Sequence, residues 1–111
     1  MLRKNNVISN EVRNLKNRKY KQFLNDIYNY YSLKASPRIA KKIVNKIVAR
    51  VEVLLKNPLT GPKEELLNEM PEDFRYLVEN NYKIIYWQEN EIITIASVFD
   101  CRQNPEKMKK L

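Results

Sequence analysis

With 111 residues, 43% of them hydrophobic, the chain has material for one two-layer core and not for two. Its longest apolar run, residues 92–99, is too short to span a bilayer, and residues 1–6 lack the apolar stretch of a secretion signal; a cytoplasmic protein with no membrane partner is expected. One cysteine, Cys101, forbids an internal disulfide, and the absence of histidine rules out Ser-His-Asp and Cys-His catalysis and His-containing zinc sites, leaving acid–base work to Lys, Arg, Tyr, Asp or Glu.

The net charge of +8 is unevenly placed. Residues 1–60 hold 14 Lys+Arg against 3 Asp+Glu, a net +11, whereas residues 61–111 hold 7 against 10, a net −3. A basic half predicts an anionic partner: nucleic acid, a ribosome or an acidic protein segment. The bland alternative is that these lysines only solvate helix surfaces.

Residues 1–17 are rich in Asn, Lys and Arg, with Val7, Ile8, Val12 and Leu15 at neither helical nor strand spacing. They read as a poorly defined leading segment holding a short edge strand around residues 12–16. From 18 to 34, Tyr20, Leu24, Ile27 and Tyr31 recur at helical spacing, and Phe23, Tyr28 and Tyr30 widen the stripe enough to face a core. The tyrosines read as packing residues whose hydroxyls reach water, with base stacking as the alternative. Ser36-Pro37 opens a second helix over 36–56, Ser as N-cap and Pro at the first position, where its missing N–H costs nothing. Ile39, Ile43, Ile47, Val51 and Leu54 form its apolar face, while Lys42, Lys46 and Arg50 recur every four residues as a basic row on the solvent side. Asn57-Pro58 ends the helix, and the only glycine, Gly61, lies in a sharp connector between Pro58 and Pro62.

Residues 64–73 are acidic and loop-like, with Leu66, Leu67 and Met70 able to tuck under a sheet. The apolar period then changes from 3.6 to 2, which predicts strands at 74–79, 82–88 and 91–99. Asn80-Asn81 makes one tight turn, and Asn90 suits a left-handed position in the next. The fold class is therefore α+β: an N-terminal helical hairpin packed on one face of a three- to four-stranded antiparallel sheet, one domain over residues 1–111. Residues 106–110 read as a short polar helix or tail.

Strand alternation places Arg75 with Leu77, and Lys83 with Ile85 and Trp87. Lys83, Arg75 and Arg102 are the candidates for a positively charged concavity on or at the end of the sheet, with Asp100 orienting Arg102 through a bidentate contact. The alternative for Arg75 and Arg102 is structural, clamping the acidic residues 69–73 or the C-terminal tail.

The order of these elements over residues 19–108 resembles the RelE/ParE family of toxins from bacterial type II toxin–antitoxin modules. The likeness is carried by the Tyr-x-Ile-x-Tyr strand of Tyr82, Ile84 and Tyr86, by the Ile-rich strand from Ile92 to Val98, and by Arg102 and Pro105 at its exit. Asn57-Pro58 followed by Gly61 matches the link that ends the family's second helix. The resemblance implies the same helical hairpin over a sheet, and a growth-inhibiting, plasmid-stabilising toxin neutralised by a cognate antitoxin. Lys42, Lys46 and Arg50 are the expected antitoxin-binding residues, operator DNA is reached only through the antitoxin, and no cofactor or metal is expected.

Within that family, RelE-type members cleave messenger RNA on the ribosome, whereas ParE-type members poison DNA gyrase by binding. Two strand positions that carry lysines in the nuclease branch hold Phe74 and Tyr76 here, and its C-terminal tyrosine position holds Met108. Phosphodiester cleavage needs a group that activates the 2′-hydroxyl and charge that stabilises the transition state. Gyrase inhibition is therefore the expected activity, and a ribosome-dependent mRNA endoribonuclease is the alternative, the only one that would make the chain an enzyme. A basic nucleic-acid-binding module and an inactive antitoxin-binding relative are further readings. Arg102, then Lys83, then Arg75 are expected to touch the target.

Overall fold

Helices α1 (Arg18–Lys34) and α2 (Pro37–Lys56) form where the apolar residues recur at helical spacing; the computed structural model describes residues 14–16, 18–58 and 60–110. Ser36 caps α2 as its chemistry dictates, its hydroxyl oxygen accepting the Ile39 amide at 3.2 Å. The face of α2 carrying Ala40, Ile47, Val51 and Leu54 is buried, and each of the larger side chains stabilises by about 1.5–3 kcal/mol through removal from water.

Strand β1 (Asn14–Lys16) precedes the helices; β2 (Arg75–Glu79), β3 (Tyr82–Glu89) and β4 (Ile92–Asp100) follow them, in the sheet order β1-β4-β3-β2. β2 with β3 and β3 with β4 are antiparallel hairpins closed by two-residue loops. Asn80 (φ 59°) and Asn90 (φ 57°) take the left-handed conformation that asparagine tolerates better than most residues. The expected edge strand survives as Asn14–Lys16, and the rest of that expectation falls outside the described residues. One correction concerns its direction. β1 runs parallel to β4, a direction that the two-helix crossover after β1 permits and that a tight loop would have excluded.

β4 carries a bulge. Ile85 pairs with Ser97 but the next residue, Tyr86, pairs with Ile95, so Ala96 is an extra residue on β4. Strict alternation along β4 would put Ile93, Ile95, Ser97 and Phe99 on one face. The extra residue moves Val98 to the helix side with Ile93 and Ile95, and sends Phe99 to the far side, where Ala96 already lies. Asp100 consequently pairs with Tyr82 on the helix-facing side.

The connector after α2 is fastened to the sheet by Tyr86, which is fully buried. Its hydroxyl donates to the Pro58 carbonyl at 2.7 Å and accepts the Gly61 amide at 3.1 Å. Arg75 Nη1 donates to the Gly61 carbonyl at 3.0 Å, and Tyr76 donates its amide to the Pro62 carbonyl at 3.1 Å. Residues 62–64 thus lie antiparallel to the start of β2 and cover part of that sheet edge. Gly61 is required here by close approach: a Cβ would collide with the Tyr76 carbonyl oxygen and stand 2.9 Å from the Tyr86 hydroxyl.

The far face of the sheet is not left open. Phe74, Ile85, Ala96 and Phe99 form a second core with Leu67, from a short 3-10 helix at Glu65–Leu67, and Met108, from another at Pro105–Lys110. The segment expected to be a short polar helix or tail is helical, and it contributes a core residue, Met108, only 1% exposed, because the sheet's second face is also apolar. Leu67 tucks under the sheet as expected, whereas Met70 stays exposed.

Gly61→Ala is expected to lower stability by about 1–3 kcal/mol through overpacking, read as a shifted denaturation midpoint by circular dichroism. A second expectation concerns alkaline pH. Burial, with the Glu52 charge adding to it, pushes the Tyr20 phenol up to about 12, and burial likewise raises Tyr82 and Tyr86. Phenols whose folded values exceed the unfolded value of about 10 stabilise fully below that pH and lose the contribution as pH rises through the folded values. Of seven tyrosines, these three should ionise last in an ultraviolet phenolate titration, and their ionisation should coincide with unfolding.

Candidate functional site at the sheet end

β4 ends at Asp100, and the chain turns sharply over Cys101-Arg102. The Cys101 amide donates to the Asn81 carbonyl at 2.7 Å, tying this exit to the β2–β3 turn. Asp100 Oδ1 accepts the Arg102 backbone amide at 2.9 Å, an Asx turn that fixes the side chain's starting point. The guanidinium then grips the same carboxylate twice, Nε to Oδ1 at 2.9 Å and Nη2 to Oδ2 at 2.8 Å, and Nη2 also donates to the Tyr31 hydroxyl at 3.3 Å. This fork holds the Asp100 carboxyl below the usual carboxylate range and raises the Arg102 guanidinium. Among the described residues Nη1 has no partner, and the side chain is 51% exposed. Arg102 is thus a preoriented cation with one free donor edge.

Tyr31 connects this cation to the core. Its ring meets Tyr30 edge-on, centroids 5.0 Å apart, and it neighbours Tyr82, whose phenol is raised chiefly by burial and then by the Tyr31 side chain. Beside the network a groove of about 430 Å³ opens between α1 and the exit half of β4, lined by Phe23, Asp26, Ile27, Tyr30, Tyr82 and Val98 among others.

The other two expected cations lie elsewhere. Arg75 pairs across the strands with Tyr86 on the helix side, where it donates to the Gly61 carbonyl and, through Nε at 3.2 Å, to Asp73. Lys83 projects to the opposite face: its Nζ is 2.6 Å from Glu64 Oε1 and 4.2 Å from the Tyr76 ring centroid. Glu64 is 4% exposed and also accepts the Leu66 amide at 3.3 Å, so Lys83 fastens the 64–67 segment to the far face. The expected concavity formed from Lys83, Arg75 and Arg102 is therefore not assembled, because the pairing register sets Arg75 and Lys83 on opposite faces and each is held by its own carboxylate.

On α2, Lys42 and Lys46 are exposed as expected, but Arg50 turns toward β2 and stands 3.8 Å from Glu79. The basic row is thus two residues long, and its third member partly neutralises the sheet edge. Sequence reading missed Tyr31 as a partner of Arg102, and Glu64 as the partner of Lys83; neither pairing has a local spacing signature. Among the described residues no three His, Cys, Asp or Glu side chains converge as metal ligands, and no helix is long and apolar enough to cross a membrane.

This architecture has known counterparts. The solved structure described as the chromosomal ParDE TA system from P. aeruginosa matches with a TM-score of 0.62 and 26% identity, over 77% of this chain and 91% of that one. Among curated protein sequences none matches. The family model for the ParE toxin of the type II toxin–antitoxin system parDE matches residues 16–105, which include both helices, the β2–β4 meander and the Asp100–Arg102 fork. The chain belongs to the ParE toxin family of type II toxin–antitoxin systems.

Proposed function

We propose that this toxin stops growth by binding DNA gyrase through the Arg102 end of its sheet, and that a cognate antitoxin neutralises it by laying an acidic segment on α2. The observation that carries the choice of target is the closed far face. Met108 is buried among Leu67, Phe74 and Phe99, and Lys83 is locked to Glu64, so neither stands beside an open surface where RNA could be cut. Cleavage demands a proton-transfer group and free charge at one place, whereas poisoning by binding demands only a shaped, charged surface. Arg102 supplies the contact, Asp100 orients it and stays ionised at neutral pH, and Lys83 and Arg75 act by positioning the sheet's two faces.

The ribosome-dependent nuclease draws on one observation, the phenols of Tyr31 and Tyr82 beside Arg102. Burial, and then the neighbouring Tyr31 side chain, push the Tyr82 phenol up, so it stays protonated and is a poor base near neutral pH. The antitoxin reading extends to this chain what its ParDE neighbour is described as, and is supported by exposed Lys42 and Lys46.

Brief induced expression followed by recovery of DNA and RNA from the same cells separates the targets: double-strand breaks and an SOS response with intact transcripts are expected, and codon-phased messenger RNA cuts without DNA damage would reverse the assignment. Arg102→Ala should abolish growth inhibition while circular dichroism stays native, and by NMR the Asp100 carboxyl should titrate closer to an ordinary aspartate. Replacing Lys42, Lys46 and Arg50 together by alanine should weaken the antitoxin complex by roughly 1–3 kcal/mol and flatten its salt dependence, as measured by titration calorimetry at low and high salt.

A further inference from the structure

Some of the described basic residues are ion-paired within the chain, and others, Lys19, Lys21, Lys34, Lys56 and Lys107 among them, are not. Arg50, Lys63, Arg75, Lys83, Arg102 and Lys109 each lie within 4.0 Å of a carboxylate of this chain, paired respectively with Glu79, Asp73, Asp73, Glu64, Asp100 and Glu106. Arg38, Lys41, Lys42 and Lys46 have no such partner among the described residues. All four are exposed, and together they line one shallow concavity of about 440 Å³ on α2, with only Asn45 and Ala49 between them. No carboxylate and no bulky side chain interrupts that surface.

Four unpaired cations within about 12 Å of helix repel one another, at 1.5 Å of rise per residue, unless an outside polyanion neutralises them. Over the same distance one strand of duplex DNA presents about three or four phosphates. The small residues at the floor of the concavity let a phosphodiester backbone come within reach of all four side chains. Ten of the thirteen acidic residues follow α2 in the chain, and Glu65, Glu72 and Glu89 line other cavities. Such a charge division presents the α2 face, and not the opposite one, to a polyanion.

We infer that the α2 face formed by Arg38, Lys41, Lys42 and Lys46 is a sequence-independent binding surface for the phosphate backbone of duplex DNA, used when no acidic protein segment covers it. Recognition of a particular operator is no part of this role, because no base-reading side chain accompanies the lysines. The surface concentrates free toxin on DNA, and an acidic segment seated on the same lysines displaces it. The inference does not depend on gyrase being the target.

Fluorescence anisotropy of the purified full chain with labelled duplexes of unrelated sequence, across about 50 to 200 mM salt, tests it. Binding should be indifferent to sequence, with a log–log salt slope of about −3 to −4 that falls by about one for each of Lys41→Ala, Lys42→Ala and Lys46→Ala. Alanine at these exposed helical positions preserves the fold, which circular dichroism checks. Arg102→Ala should leave the slope unchanged, and polyglutamate should compete. The inference is overturned if no duplex binds at about 50 mM salt, if the α2 variants keep the parent slope, or if polyglutamate binds through these lysines while duplex does not. Growth inhibition, scored separately in the same variants, reports on the gyrase reading and not on this one.

Discussion

The hydroxyl of Tyr86 joins the two halves of this molecule. It bridges the Pro58 carbonyl and the Gly61 amide, the two groups left where α2 ends and the chain turns toward the sheet. Without that bridge the connector would carry buried polar groups with no partner, a cost of about 1–3 kcal/mol for each. Because Gly61 has no side chain, the connector descends onto β2 and continues as a backbone ladder through Pro62 and Glu64. The angle at which the helical hairpin meets the sheet, and hence the distance from Tyr31 on α1 to Arg102 beyond β4, follows from this fastening.

Charge in the described part is handled in the same economical way. Each face of the sheet spends one basic residue on a carboxylate from a neighbouring loop: Arg75 with Asp73 on the helix side, Lys83 with Glu64 on the other. Those pairs organise the fold and withdraw charge from the surface. The half-exposed guanidinium of Arg102 at one end of the sheet and the α2 cations Arg38, Lys41, Lys42 and Lys46 stay at the surface. The contact mode proposed above asks for little more, since a preoriented cation loses little entropy on binding.

The bulge at Ala96 links fold to site. By inserting one residue it reverses the facing of everything after it, so Asp100 leaves the sheet on the helix side opposite Tyr82. Arg102, held by Asp100, is thereby brought to Tyr31. Deleting the bulge in thought sends Asp100 to the far face, where Phe99 now packs, and dissolves the cluster.

The sequence by itself determined the elements whose causes are local. The helical spacing from Tyr20 to Tyr31, the Ser36-Pro37 start, the Asn57-Pro58 stop, the alternating strands and the asparagine turns are set by neighbours within a few residues. The Asp100–Arg102 fork is also local, spanning two positions, and it was legible for that reason. Only the tertiary structure decided which face each charge occupies. Whether Lys83 meets Glu64 or Arg102 depends on pairing register, and a single extra residue changes the register without leaving a composition signal. Met108 looked polar in context because its neighbours are lysines, and it became core because the sheet's second face required covering. The parallel direction of β1 was hidden for a related reason: a two-helix crossover and not a tight loop follows it, so no local turn signal fixes its direction.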